Sequence, residues 1–191
     1  MLYTDQGMTS GKADIMKRSR SIRLVAMGAG LLLVAGCEEA KVDTAIFEDA
    51  RQCEANGISA EACQADLARA REAHVQVAPK YTSQADCEAD FGAAQCEVAP
   101  QKTTSGGSVF MPLMVGYMMG SMLNGNRVGA AQPLYKSRDD RANFRTADNR
   151  SVGATTGRTQ VSRSAAAAPS VKTRTASRGG FGASAFRSAA S

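Results

Sequence analysis

The stretch Val109-Phe-Met-Pro-Leu-Met-Val-Gly-Tyr-Met-Met-Gly-Ser-Met-Leu123 carries no charge, and its conformation decides the architecture. As a helix, it would begin at a Ser108 cap, tolerate Pro112 only in its first turn, and stop at Asn124-Gly125. Such a helix is apolar all round, so it needs burial on more than one side. It is too short to span a bilayer and suits a core or interfacial position. The spacing of Gly116 and Gly120 allows close helix approach, and methionine suits adaptable contacts. Phe110, Met114, Gly116, Tyr117 and Gly120 are therefore the candidate interaction residues. Two readings stay open: packing on the cysteine-rich region upstream, or contact with a membrane or protein partner.

Upstream lies an acidic region. From Glu38 to Pro100 there are 13 Asp/Glu against 5 Lys/Arg, whereas Gln101 to Ser191 holds 3 against 13. The overall charge of +5 thus conceals two opposed halves. The acidic half contains two matched units: Cys53-Glu-Ala-Asn-Gly with Cys63, and Cys87-Glu-Ala-Asp-Phe-Gly with Cys96. Phe47 and Tyr81 stand at equivalent places ahead of them. Helix signals accompany both units. Thr44 or a neighbour would start a helix through Ala50 to Ala55, stopped by Asn56-Gly57. Ser59 would cap a helix running toward Pro79. Ser83 would cap a short helix stopped by Gly92.

Four cysteines permit three connectivities. The duplication argues for pairing within units, Cys53 with Cys63 and Cys87 with Cys96, each loop contributing about 3 kcal/mol. A zinc site ranks below disulfides because tight Cys-x2–4-Cys pairs are missing, and the redox spacing Cys-x-x-Cys is missing too. His74 is the only histidine and reads as a surface residue without a nucleophile partner. No metal or cofactor motif is found, and no calcium-loop spacing occurs.

The amino-terminal region gives an address. Residues 17–23 form a basic run, and residues 24–35 are an uncharged apolar stretch leading to Gly36 and Cys37. A positive segment, a short apolar segment and small residues at the cut make a secretory signal over residues 16–36. As a helix of about 18 Å it falls short of a bilayer core. Leu33-Val-Ala-Gly-Cys37 matches a lipobox, so Cys37 is the expected lipidation site, with two or more chains needed for a stable anchor. Glu38 after the cysteine favours the outer over the inner membrane, facing the periplasm. Residues 1–15 are expected to be a mis-assigned start or a leader.

From residue 126 to residue 191 Arg, Ser, Ala, Thr and Gly dominate, a composition expected to remain disordered. Export argues against nucleic acid as the partner of this basic tail and for an anionic envelope surface. Arg178-Gly-Gly-Phe181-Gly182 reads as a short docking motif, with Arg178 and Phe181 as contacts. The expected fold is mainly α. It comprises a small disulfide-stapled helical domain over 37–100, a linker over 101–108, one apolar Met/Gly helix over 109–125 and a long disordered basic tail over 126–191.

Together these motifs resemble the YgiB family of uncharacterised Gram-negative envelope proteins. The resemblance is carried by residues 16–23, the lipobox, the four cysteines with Ala78-Pro-Lys-Tyr81 between them, residues 110–120, Gln132-Pro-Leu134 and residues 178–182. It implies no established activity. Genes of that family often adjoin one for an ATP-grasp ligase resembling glutathionylspermidine synthase, but no ligase motif occurs here. The favoured function is a non-enzymatic, lipid-anchored envelope protein with an interaction or scaffold role. It would meet the membrane through Cys37 and a protein partner through the Met/Gly helix. The alternative is a periplasmic accessory protein binding a small cationic ligand, a polyamine conjugate, on the acidic half.

Overall fold

The computed structural model describes residues 39–123, 126–128, 130–176 and 180–182. Its first element is a strand, not a helix: β1 spans Lys41–Phe47. The β-branched residues Val42, Thr44 and Ile46 alternate along it, which suits a pleated strand. A loop holding Asp49 follows, and Asp49, rather than Thr44, caps helix α1 (Ala50–Ala55) by accepting from the Gln52 N–H. The chain turns at Gly57, where φ is +78°. Ser59 then caps helix α2 (Ala60–Val77), accepting from the Ala62 N–H. Pro79 follows its C-cap, and β2 (Lys80–Tyr81) comes next. Ser83 caps α3 (Gln84–Phe91), which ends at Gly92 with φ +104°. Disulfides Cys53–Cys63 and Cys87–Cys96 tie α1 to α2 and α3 to the strand β3 (Cys96–Lys102).

The apolar stretch is extended. It forms β4 (Ser108–Pro112), β5 (Gly116–Met118) and β6 (Ser121–Leu123), and β6 pairs with β7 (Asn126–Val128). Pro112, Gly116 and Gly120 divide the run into pieces too short for a helix but ample for strands. Its lack of a polar stripe has a different cause from the one expected of a helix. Both faces of β5 are covered, so neither face of the strand needs polar residues.

The basic region is folded as well. It supplies β8 (Gln132–Ser137), β9 (Asp140–Arg145), β10 (Ser151–Gly153), β11 (Gly157–Ser162), helix α4 (Arg163–Ala166) and β12 (Thr175–Ala176). The expectations of a mainly α fold, of a single Met/Gly helix and of a disordered tail over 126–191 are therefore overturned. Among the described residues twelve strands stand against four helices.

Strand order explains why composition misled. One antiparallel sheet runs β10-β9-β8-β5-β1-β11, and a second runs β12-β2-β4-β3. In the first, β1 from the acidic half lies between β5 and β11 from the basic half. The two charge halves share one sheet. Edge strands β10 and β11 contact each other, so this sheet curls almost to closure.

Each of its six strands sends at least one apolar side chain to the inside: Val42, Ile46, Met118, Leu134, Phe144, Val152 and Val161. A strand needs few apolar residues when neighbours complete the core, so the sparse aliphatics of the basic region suffice. The other face alternates outward. Ala45, Phe47 and Tyr117 meet Cys53, Cys63, Leu67 and Ala70 of the first two helices. Tyr135 meets Val77, Tyr81, Phe91, Val109, Met111 and Phe181. Among the described residues no helix is long and apolar enough to cross a membrane.

Candidate functional site

Helix α2 delivers His74 to the seam between the two sheets. The Tyr135 hydroxyl of β8 lies 2.9 Å from His74 Nδ1, and Glu97 Oε1 of β3 lies 3.0 Å from His74 Nε2. Burial lowers the His74 pKa below its ordinary value, against the opposing hydrogen bond and charge of Glu97. The imidazole is therefore neutral near pH 7, with one nitrogen donating and the other accepting. Burial, reinforced by Glu97, raises the Tyr135 pKa well above its ordinary value, so this phenol keeps its proton. Tyr135 then donates to Nδ1, and Nε2–H donates to the Glu97 carboxylate. Both ring nitrogens are occupied. This is a correction to the surface reading of His74, whose side chain is 8% exposed.

Glu97 is the partner that meets solvent. It shares a cleft of about 290 Å³ with Glu48, Asp49, Leu67, Arg71, His74, Leu113 and Met114. Its lining holds three carboxylates, one cation (Arg71) and three apolar side chains, Leu67, Leu113 and Met114. Glu48 and Asp49 are held by the start of α1: the Glu48 N–H donates to Gln52 Oε1, and the Gln52 N–H donates to Asp49 Oδ1. Chemically, the cleft offers charge and apolar contact to a cationic, partly apolar group. The chain's thiols within the described residues are spent in disulfides, so none serves as a nucleophile. Among the described residues no cluster of three or more His, Cys, Asp or Glu is placed to hold a metal.

The residues singled out in the sequence do not converge on one place. Met114 lies between β4 and β5 and lines the His74 cleft. Phe110 on β4 is half-buried against the Tyr135 core. Gly116 admits a close crossing, since a Cβ there would sit 2.9 Å from the Phe47 carbonyl oxygen. Tyr117 is fully buried, its ring centroid 6.1 Å from that of Phe47. Burial, then Asp66, Asp49 and Glu54, push its hydroxyl up to about 12. Gly120 lines a separate cleft of about 440 Å³ with Thr44, Ile58 and Met119.

Phe181 is docked on the molecule itself. Its ring lies 4.7 Å from that of Phe91 and 6.2 Å from that of Tyr135. Asn149 clasps the next residue, donating Nδ2–H to the Gly182 carbonyl at 2.9 Å and accepting the Gly182 N–H at 3.0 Å. Cys37, Arg178, the expected signal over 16–36 and residues 1–15 lie outside the described residues. Glu97 and Tyr135 were missed in the sequence, and only Tyr135 left a signal, as the one aromatic within Gln132-Pro-Leu-Tyr135.

The family described as proteins of unknown function, DUF1190, matches residues 41–191. A UPF0441 protein of Erwinia tasmaniensis is 38% identical over 170 residues, covering 81% of this chain and 76% of its own. A UPF0441 protein of Sodalis glossinidius is 37% identical over 186 residues, covering 89% and 86%. One from Serratia proteamaculans is 36% identical over 170 residues, covering 81% and 77%. No solved structure matches the chain.

Proposed function

This chain belongs to the DUF1190 family, and from that premise we propose that it is a non-enzymatic binding module of the cell envelope. Its docking site is the His74 cleft. One observation carries the reading: the cleft sets Leu113 and Met114 beside Glu48, Asp49 and Glu97, while the one histidine is locked between Tyr135 and Glu97. A base with both nitrogens engaged is poorly placed for proton transfer to a substrate. A lining in which carboxylates outnumber the one cation, Arg71, three to one and stand with three apolar side chains suits a partner segment that offers a lysine or arginine next to apolar side chains. The envelope address is supported by the lipobox at Cys37 and by two disulfides, which persist in oxidising compartments. The resemblance to YgiB envelope proteins points the same way. In this reading acyl chains on Cys37 hold the module at the membrane, the outer one by the Glu38 argument.

The test is a photo-crosslinking amino acid at Met114 in the full chain, expressed in cells. The expected result is one discrete protein adduct that diminishes when Glu48 and Glu97 are both replaced by Gln. Capture of lipid alone, or of nothing, refutes the reading. The three carboxylates also favour a second reading, a small cationic ligand such as a polyamine conjugate. Saturable binding of spermidine at moderate salt, abolished by the same double replacement, would establish that reading in place of the first.

A further inference from the structure

A second cleft lies on the opposite charge. Its walls are Lys80 of β2, Gln101 and Lys102 of β3, the Thr103–Thr104 turn, and the segment that carries Lys172 and Arg174 into β12. Its volume is about 670 Å³, within the usual range of about 300–1,000 Å³ for small-molecule sites. Four cations line it, and none of its lining residues is acidic.

Lys80 is the deepest of these, only 7% exposed. Its ammonium donates to the carbonyls of Gln76 and Lys172 at 3.1 and 3.0 Å. That leaves a third N–H, and among the described residues no carboxylate lies within ion-pair reach of it. Burial and the charge of Lys172 both lower its pKa. Lys172 is the one cation already matched, by Asp148 just outside the cleft. Lys102 and Arg174 have no acidic partner among the described residues and are exposed.

A buried ammonium held on carbonyl dipoles alone is under-compensated, and a concave surface lined by one sign of charge concentrates counter-ions. Both features call for an anion. Its class follows from how the cations are spread. Cations from three elements line the cleft, Arg174 among them, with Thr104, Thr173 and Thr175 in the same lining; an arginine fork serves phosphate as well as carboxylate, and lysine ammoniums serve phosphate as point charges. That arrangement suits a compact dianion with several oxygens, and the remaining volume leaves room for an organic body.

We propose that this cleft is a binding site for organic phosphate monoesters, with the phosphate against Lys80, Lys102 and Arg174. The site is independent of the His74 cleft and of any partner bound there. Such a group could arrive as a free sugar phosphate or as the phosphorylated headgroup of a glycolipid, and the chemistry is shared.

The test uses the full chain with its disulfides intact. Isothermal titration with glucose 1-phosphate should show saturable binding that weakens as salt rises, with neither glucose nor succinate binding comparably. Vesicles of phosphatidylcholine containing diphosphorylated lipid A form the second arm. Retention competed by glucose 1-phosphate identifies the headgroup as a source, whereas binding of the soluble probe alone identifies a free metabolite. The double variant Lys102→Ala/Arg174→Ala changes only exposed residues and should lose about tenfold or more in affinity, as expected for charge-assisted contacts. Lys80→Met should lose as much. Absence of phosphate-dependent binding in both arms overturns the proposal. So does equal binding of succinate, or an affinity unchanged in the double variant.

Discussion

Replacing Phe181 with Ala tests whether the Arg178–Gly182 segment completes the core or merely rests on it. The side chain is 3% exposed and packs on Phe91 and Tyr135. Truncating a buried phenylalanine costs about 3–5 kcal/mol from lost transfer energy and the cavity left behind. The lower end applies here, because the segment is also held by Asn149 and can settle into part of the void. A loss of about 3 kcal/mol corresponds to a melting temperature lower by about 6–12 °C for a chain of this size. Urea unfolding with both disulfides intact, followed by far-ultraviolet circular dichroism, gives the free-energy change directly. Hydrogen exchange then shows where the loss falls: amides of β8 around Tyr135 should exchange faster in the variant. A change below about 1 kcal/mol with β8 protection unaltered would refute the argument. Phe181 would then be a surface motif free to engage something else.

Replacing Cys87 and Cys96 together with Ser should cost about 3 kcal/mol, the entropy of closing a short loop in the unfolded chain; an unchanged urea midpoint would count against it. His74 has a folded pKa below its ordinary 6.5, because burial disfavours its charged form. The unfolded state therefore binds the proton first, so stability is full above pH 6.5 and declines as pH falls from there toward the folded value. Urea midpoints across that window should show the decline, and His74→Gln should flatten it; an identical slope in the variant rules His74 out as the cause. Gly116→Ala should destabilise by about 1–3 kcal/mol, since its Cβ would meet the Phe47 carbonyl oxygen at 2.9 Å; a wild-type thermal melt would show that the β1–β5 crossing can widen freely. Cys37→Ala should abolish acyl labelling and membrane retention, and fractionation that still finds the variant on membranes would mean that another part of the chain binds there.

What could be read from the sequence was local. Asn56-Gly57, Ser59, Pro79, Ser83 and Gly92 act within a few residues of themselves, and the helix limits they mark stand in the structure. The strands depend on distant partners and could not be read in that way. Leu134, Phe144, Val152 and Val161 look isolated in a polar background, yet each fills one place in an interior completed by five other strands. The 109–123 run misled for a related reason: a strand covered on both faces and a buried helix share the same lack of periodicity. Pro112 was the available cue, because it fits the end of β4 better than the interior of a helix. The His74 cleft was half legible. Met114 stood out by composition, whereas Glu97 and Tyr135 meet His74 only because helix α2 packs against strands that lie 23 and 61 residues further along the chain.

The place of β1 between β5 and β11 also constrains the order of events during biogenesis. Lys41 is opposite Ser162, so this strand cannot acquire its second neighbour until nearly the whole folded region has been made. Contacts of such long sequence separation form slowly. The two cystine loops span only 10 and 9 residues and can close early. Until β11 is made, β1 lacks one of its two neighbours, and an unpaired edge of that kind invites aggregation. A chain made from its amino terminus would carry this exposed edge until its last strands arrive, which makes β1 the strand most in need of cover while the chain is incomplete.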